Sequence, residues 1–319
     1  SKATSELLID ILANVFPPEF VCGFPGSGAM NDWLLDVRWD QIFFTGSPGV
    51  GRTIMEAAAK HLTPVVLELG GKSPCIVDET ANVKRAAQRV AWGKGINSGQ
   101  TCVAPDYFLV HENVVDNFVS QLDACFHQYY GQDILACEQW PHMISQRHFE
   151  RVMGLIERRN PNATVAFGGH GDPETLRIEP TCLRGVTLDD PVMGEEIFGP
   201  VLPVLTYRSL DQAFDIVRTF EKPLACYVFS DDKQVQHRVL TRLPFGGATV
   251  NDVVIHLANN HMGFGGVGQS GMGSYHGKRS FDTFSHYRAI VDKATWLDLP
   301  MRYHPYKKFN GKLIRMFIH

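Results

Sequence analysis

The sequence lacks most of what marks membrane-spanning, nucleic-acid-binding and disulfide-built proteins. No apolar run approaches the roughly 18–20 residues needed to cross a bilayer. Ser1-Lys2-Ala3-Thr4 does not have the basic-then-apolar pattern of a secretory signal. There is no basic excess either. Thirty Lys+Arg against 34 Asp+Glu give a formal charge of −4, which leaves no cationic surplus to neutralise phosphates, so nucleic acid is not an expected partner. CxxC pairs and Cys/His clusters at zinc spacing are absent, so no metal site is expected. The seven cysteines, at 22, 75, 102, 125, 137, 182 and 226, are odd in number and scattered. That usage suits reduced thiols in a reducing compartment, hence an expected cytoplasmic location.

What is present is an ordinary globular composition, with 44% hydrophobic and 20% charged residues over 319 positions, room for roughly two packed domains. Helical apolar spacing over Glu6–Leu12 is stopped by Pro17-Pro18. Gln41–Phe44 reads as a buried strand, Arg52–His61 as a helix and Val65–Leu69 as a second strand. Strand, helix and strand in so short a span form a βαβ unit, hence an α/β fold with a parallel sheet. Further along, 74–77, 107–110, 201–207, 225–230, 248–251 and 286–291 read as strands. Residues 83–94, 114–130, 150–159 and 210–220 read as helices, the first with Trp92 on its apolar side. The turn at Gly70-Gly71 is the expected domain boundary.

Three local features bear on chemistry. Gly46-Ser47-Pro48-Gly49-Val50-Gly51 joins a strand to a helix, with Ser47 placed to cap and Pro48 at the first helical position. Free amides and the helix dipole favour an anion there. The spacing is GxxGxG rather than the dinucleotide fingerprint GxGxxG, and such turns also serve structure alone. Glu68 ends a strongly apolar strand, where burial raises a carboxylate toward the range useful to a general base; the bland alternative is a strand-end carboxylate reaching solvent. Cys102, in Gly99-Gln100-Thr101-Cys102, follows a glycine that permits close backbone approach. Its own amide is a candidate oxyanion donor, and its thiol is a candidate nucleophile rather than an inert loop residue. Acyl hydrolysis, amide transfer and thiohemiacetal oxidation all remain open on these residues.

Leu67-Glu68-Leu69-Gly70-Gly71-Lys72-Ser73-Pro74, Asn97-Ser98-Gly99-Gln100-Thr101-Cys102, Glu195-Glu196-Ile197-Phe198-Gly199-Pro200 and Pro223-Leu224-Ala225 resemble, in order and spacing, the NAD(P)-dependent aldehyde dehydrogenases. Ala58–Pro64 and Phe264–Lys278 resemble the class 3 branch, which includes fatty aldehyde dehydrogenases. The resemblance runs from about Lys2 to Arg302. It implies the C-terminal half of a Rossmann-like parallel sheet (1–71), an α/β catalytic domain (72–284), an oligomerisation strand (285–300) and a basic tail (301–319).

The resemblance also implies roles. Cys102 attacks the aldehyde, Glu68 activates the hydrolytic water, and NAD, or alternatively NADP, accepts hydride. Gly46 and Ser47 lie at the cofactor pyrophosphate and Val50 near the adenine. Glu196 holds the nicotinamide ribose, with Phe198 beside the ring. Leu69 offers a backbone carbonyl, and Lys2 touches the adenosine ribose, although Ala3 stands where the family usually has proline. Asn251 is expected to be structural, while Tyr275 and His276 are candidates for the aldehyde entrance.

The family's catalytic chain begins well upstream of the Lys2 segment, in a part that carries a second oxyanion donor. The expectation is that residues 1–319 alone neither bind NAD normally nor turn over aldehyde. Strand pairing through 286–291 implies a homodimer. In the tail, Lys308, Lys312 and Arg315 fall at helical spacing beside Phe309, Leu313 and Met316, which raises a membrane-surface contact against a plainly solvated tail. Two further readings stay open: a catalytically silent structural or interaction protein, and a cofactor-independent thiol esterase using Cys102 and Glu68.

Overall fold

The computed structural model describes residues 2–26, 28–299, 302–305, 311 and 315. Two compact units are present, Ser1–Phe284 and Ser285–His319.

The first unit opens with helices α1 (Lys2–Val15) and α2 (Gly28–Asp36), then strand β1 (Ile42–Gly46), helix α3 (Pro48–Ala59) and strand β2 (Val65–Leu69). Ser47 caps α3 by accepting the Val50 amide, and Pro48 takes the first turn, as residues of those types do when the first amides lack helical partners. Strands β3 (Pro74–Val77) and β4 (Tyr107–His111) flank helix α4 (Val83–Gly95), and helices α5 (Val115–Tyr130) and α6 (Gln146–Glu157) follow. Short strands β5 (Thr164–Phe167), β6 (Gly171–Asp172), β7 (Arg177–Ile178) and β8 (Thr181–Arg184) lead to helix α7 (Pro191–Gly194) and strand β9 (Val201–Tyr207). The unit ends with α8 (Leu210–Arg218), β10 (Ala225–Phe229), α9 (Lys233–Arg242), β11 (Gly247–Val250), β12 (Gly271–Met272) and α10 (Gly277–Thr283).

Seven strands form one sheet in the order β11-β10-β3-β4-β9-β8-β5. Every pairing in it is parallel except β5 with β8. Its two faces carry separate cores. On β4, Phe108 and Val110 belong to one, Tyr107 and Leu109 to the other, as the two-residue repeat of a doubly covered strand requires. A second sheet, β1-β2-β12, holds the first βαβ unit. β12 returns from late in the chain to pair antiparallel with β2, Gly271 opposite Glu68. Gly271 is needed for that pairing: a side chain at its φ of +143° would place Cβ 2.2 Å from the Leu67 carbonyl oxygen. The chain thus passes from one sheet to the other across Gly70-Gly71, while Ser1–Phe284 remains one compact unit.

One expectation needs correcting. Trp92 does not lie on the buried side of α4; it is 45% exposed. Small residues (Ala86, Ala87, Ala91 and Gly93) make up much of the buried face. A Cβ on Gly93 would already stand 2.3 Å from the Val253 side chain, so an indole has no room there. Residues 286–291 join none of the sheets formed among the described residues of this chain; the pairing expected of them is with a second subunit, whose backbone would complete the ladder. In the second unit, Lys293 and Tyr303 bond Asp298 at 2.8 and 2.5 Å. Lys308, Phe309, Lys312, Leu313 and Met316 lie outside the described residues. Among the described residues no helix is long and apolar enough to cross a membrane.

Candidate active site

Glu68 sits on β2 between Thr45 of β1 and Gly271 of β12, and it is 2% exposed. Burial raises its pKa; the Cys102 thiol and the Thr45 hydroxyl, facing it as hydrogen-bond donors, pull it back down. Its Oε1 has no partner. A buried carboxylate with one free oxygen is costly, and it is also what a proton acceptor needs.

Cys102 is brought to Glu68 by an unusual backbone. Asn97, Ser98 and Gly99 take left-handed φ values of 49°, 54° and 72° in succession. A Cβ on Gly99 would lie 2.4 Å from the Gly199 carbonyl oxygen, so glycine lets this loop close on the loop carrying Glu196. Buried side chains tether it. Gln100 bonds the Asn97 and His142 carbonyls, each at 3.0 Å, and takes the Ile144 amide at 2.9 Å. Lys94 donates to the Pro105 carbonyl at 2.8 Å. Cys102 itself lies within the turn that the Ala104 amide closes onto the Thr101 carbonyl at 2.9 Å. Its thiol is pushed up to about 12, by burial first, then by the charge and hydrogen bond of Glu68 and the charge of Glu196; its own backbone N–H opposes the rise. The thiol is therefore protonated at neutral pH, with a proton acceptor beside it and an amide directed at the sulfur.

The third loop carries Glu196. Lys72 spans it from below, donating to Asp106 Oδ2 at 2.5 Å and to the Val192 and Glu195 carbonyls at 3.0 and 2.9 Å. Asp106 Oδ1 accepts the Ile197 amide at 2.8 Å. Arg151 of α6 holds the Glu196 and Ile197 carbonyls. The Glu196 carboxyl rests over the Gly70-Gly71 turn: a Cβ on Gly70 would stand 2.0 Å from its Oε2. Burial foremost, with the Asp106 charge, raises Glu196 to about 7, against the Gly71 amide and the Lys72 and Arg151 charges.

A cavity of about 330 Å³ runs from Pro48 at the start of α3, past Gly70 and Gly71, to Glu196, Lys222 and Gln269. Its chemistry fits a nucleotide cofactor: a capped helix N-terminus at one end suits a phosphate, and a buried carboxyl seated on glycine at the other suits a diol. Gly46 pairs with Leu69 at the strand ends above it. Val50 lines a separate cavity of about 600 Å³ with Leu34, Leu35, Trp39 and Ile54. Phe198, 37% exposed, has a left-handed φ of 46°.

Lys2 is not brought to these residues; its side chain is 91% exposed and pairs with Glu6 at 3.9 Å. Asn251 bonds both backbone groups of Ser230, at 2.8 and 3.0 Å, a structural tie between strand ends. Tyr275 stands near Glu68 and Cys102, and His276 stacks on Phe264 at 5.4 Å. Sequence reasoning missed Thr45, Lys72, Lys94, Asp106 and Arg151. Thr45, adjoining the Gly46-Ser47 turn, and Lys72, inside a quoted motif, carried a signal in their position.

The Aldehyde dehydrogenase family profile matches residues 1–290. Aldehyde dehydrogenase family 3 member H1 of Arabidopsis thaliana is 41% identical over 319 residues, all of this chain and 66% of its own length. The dimeric, NADP-preferring aldehyde dehydrogenase of Canis lupus familiaris is 44% identical over 311 residues, 94% of this chain and 67% of its own. The substrate-bound state of Staphylococcus aureus AldH superposes with a TM-score of 0.93 at 43% identity, covering 99% of this chain and 68% of that one. The chain spans about two thirds of the length of the curated relatives it matches.

Proposed function

The chain belongs to the aldehyde dehydrogenase family, and on that premise we propose that it oxidises medium or long aliphatic or aromatic aldehydes to carboxylic acids with NAD or NADP. The observation that carries this reading is the buried Glu68 carboxylate standing beside the Cys102 thiol with its Oε1 unpartnered. Glu68 accepts the thiol proton, and the sulfur lone pair bonds the aldehyde carbon. The carbonyl π pair moves to oxygen, within reach of the Cys102 N–H, a donor fixed before the charge appears. When bound, the cofactor supplies the hydride acceptor that turns the resulting thiohemiacetal into a thioester. Glu68, once it has shed its proton, takes one from a water that attacks the thioester carbon. The C–S bond breaks, the thiol is restored and the acid leaves.

Ser47 and the start of α3 would hold the pyrophosphate, with Gly46 beside it. Glu196 would hold the nicotinamide ribose, with Phe198 and the Leu69 carbonyl near the ring. Val50 would meet the adenine in its apolar cavity. The domain division at Gly70-Gly71 and a homodimer belong to the same reading; the canine relative is named dimeric.

The test is NADH formation from a medium-chain aldehyde, using the longest natural chain that contains these residues. Wild type is expected to show a burst followed by turnover, and Cys102→Ser neither. NADH formation by Cys102→Ser at the wild-type rate overturns the assignment.

A further inference from the structure

Tyr227, in the middle of β10, is a polar side chain with no part in the chemistry above. It is fully buried. Its hydroxyl donates to the Val103 carbonyl, 124 positions away in sequence. That carbonyl belongs to the peptide whose N–H, on Ala104, closes the Thr101 turn around Cys102. One peptide plane is therefore held at both ends, by the phenol on its oxygen and by the turn on its nitrogen. On its other side the phenol oxygen meets the Val254 amide. Val254 has a φ of 66°, a conformation that a β-branched residue adopts only when its surroundings impose it.

His256 completes the arrangement. Its ring stands edge-on to Tyr227 with centroids 5.9 Å apart, and its Nδ1 lies 3.1 Å from the Thr249 hydroxyl. Thr249 is the register partner of Tyr227 on β11. Burial lowers His256 to about 4, so the ring is neutral, and its Nε2 has no partner. It packs over Gly247, where a Cβ would come within 2.9 Å of the imidazole.

We infer that Tyr227 is the positioning residue of the nucleophile: its hydroxyl clamps the 103–104 peptide so that the Cys102 sulfur and amide face Glu68, and His256 keeps that hydroxyl aimed. The inference rests on the reading of Cys102 as the nucleophile but concerns the geometry of its turn, which can be measured without cofactor or turnover.

Iodoacetamide alkylation, mapped cysteine by cysteine against pH on the longest natural chain that contains these residues, reads that geometry. The thiolate is the reacting form, and each unit by which a thiol pKa falls raises its thiolate fraction about tenfold below that pKa. Burial first, and then the charges of Glu68 and Glu196, hold the Cys102 thiol protonated. Tyr227→Phe releases the clamp and lets the sulfur move off Glu68. Alkylation of Cys102 at pH 9 is expected to rise at least about tenfold, while exposed Cys22 keeps its rate and buried Cys75 and Cys226 stay protected. In a Glu68→Gln background the same substitution is expected to change the Cys102 rate far less, because the carboxylate it acts through is gone.

His256→Leu, which leaves the phenol in place, is expected to shift Cys102 in the same direction by a smaller factor, and it decides the matter if Tyr227→Phe does not fold. An unchanged Cys102 profile overturns the inference. So does a rise shared with Cys75 and Cys226, which flank Tyr227 and report simple loosening of the strands. So does an equal effect in the Glu68→Gln background. NADH formation by Cys102→Ser at the wild-type rate strikes the proposed function and leaves this geometry to be judged on the alkylation data alone.

Discussion

Thr45 and Glu68 stand opposite one another on β1 and β2, paired in register, and the Thr45 hydroxyl faces the buried carboxylate together with the Cys102 thiol. The residue that leads into the Gly-rich turn and the buried carboxylate therefore share one ladder. An error in strand register would separate the two, since a one-residue slip turns every side chain to the other face.

Glu68→Gln keeps the shape and removes the proton acceptor. Turnover is expected to fall by about 10²–10⁴-fold, the usual contribution of a positioned base. With the carboxylate charge gone, the Cys102 thiol is expected to titrate below its present value of about 12, yet above an ordinary thiol because burial, the largest cause, remains. An iodoacetamide pH profile identical to wild type contradicts this.

Glu196 gives stability a pH dependence of definite sign. Its pKa is raised from 4.5 to about 7 in the folded protein. Between those values the folded chain keeps a proton that the unfolded chain has released, so stability falls as pH rises through that window. Glu196→Gln removes the charge and keeps an oxygen for the Gly71 amide. Its melting temperature is expected to match wild type near pH 4 and to exceed it above pH 7 by on the order of a few °C. Equal melting curves at pH 8 refute the sign.

Asp106→Ala leaves Lys72 buried without its counter-charge, and both side chains are almost wholly enclosed. Breaking a buried pair by removing one partner costs about 3–5 kcal/mol. The Ile197 amide loses its acceptor at the same time. Urea unfolding should show the loss, and a change under 1 kcal/mol shows that water or a neighbour replaces the carboxylate.

Gly70→Ala separates fold from site. The new Cβ meets only the far end of the Glu196 side chain, which can rotate away at small cost to stability. Displacing that carboxyl is expected to weaken NADH binding roughly tenfold, as for loss of one charged hydrogen bond, with the melting temperature nearly unchanged. Fluorescence titration on the longest natural chain containing these residues measures it. Wild-type affinity would place the ribose contact elsewhere.

Legibility in the sequence followed the range of the interaction. The βαβ unit, the Ser47 cap, the Pro48 start and most strands of the large sheet were readable, because capping, turn chemistry and apolar periodicity act within a few residues. The short strands β5 to β8 were not, since two to four residues carry too little periodicity, and the two-residue β12 is a strand only through its distant partner β2. The small-residue face of α4 undid the placement of Trp92.

By itself the sequence determined the local devices of the site: a glycine-rich turn capped for an anion, a carboxylate at the end of an apolar strand, and a cysteine after a left-handed glycine. Only the tertiary structure decided that these three meet, that Lys72 and Asp106 are buried beneath them, and that Tyr227 reaches across to Val103. A side chain's propensities travel with its neighbours in sequence. The partner that makes a buried polar group affordable is set by the packing of distant segments, and no local pattern encodes it.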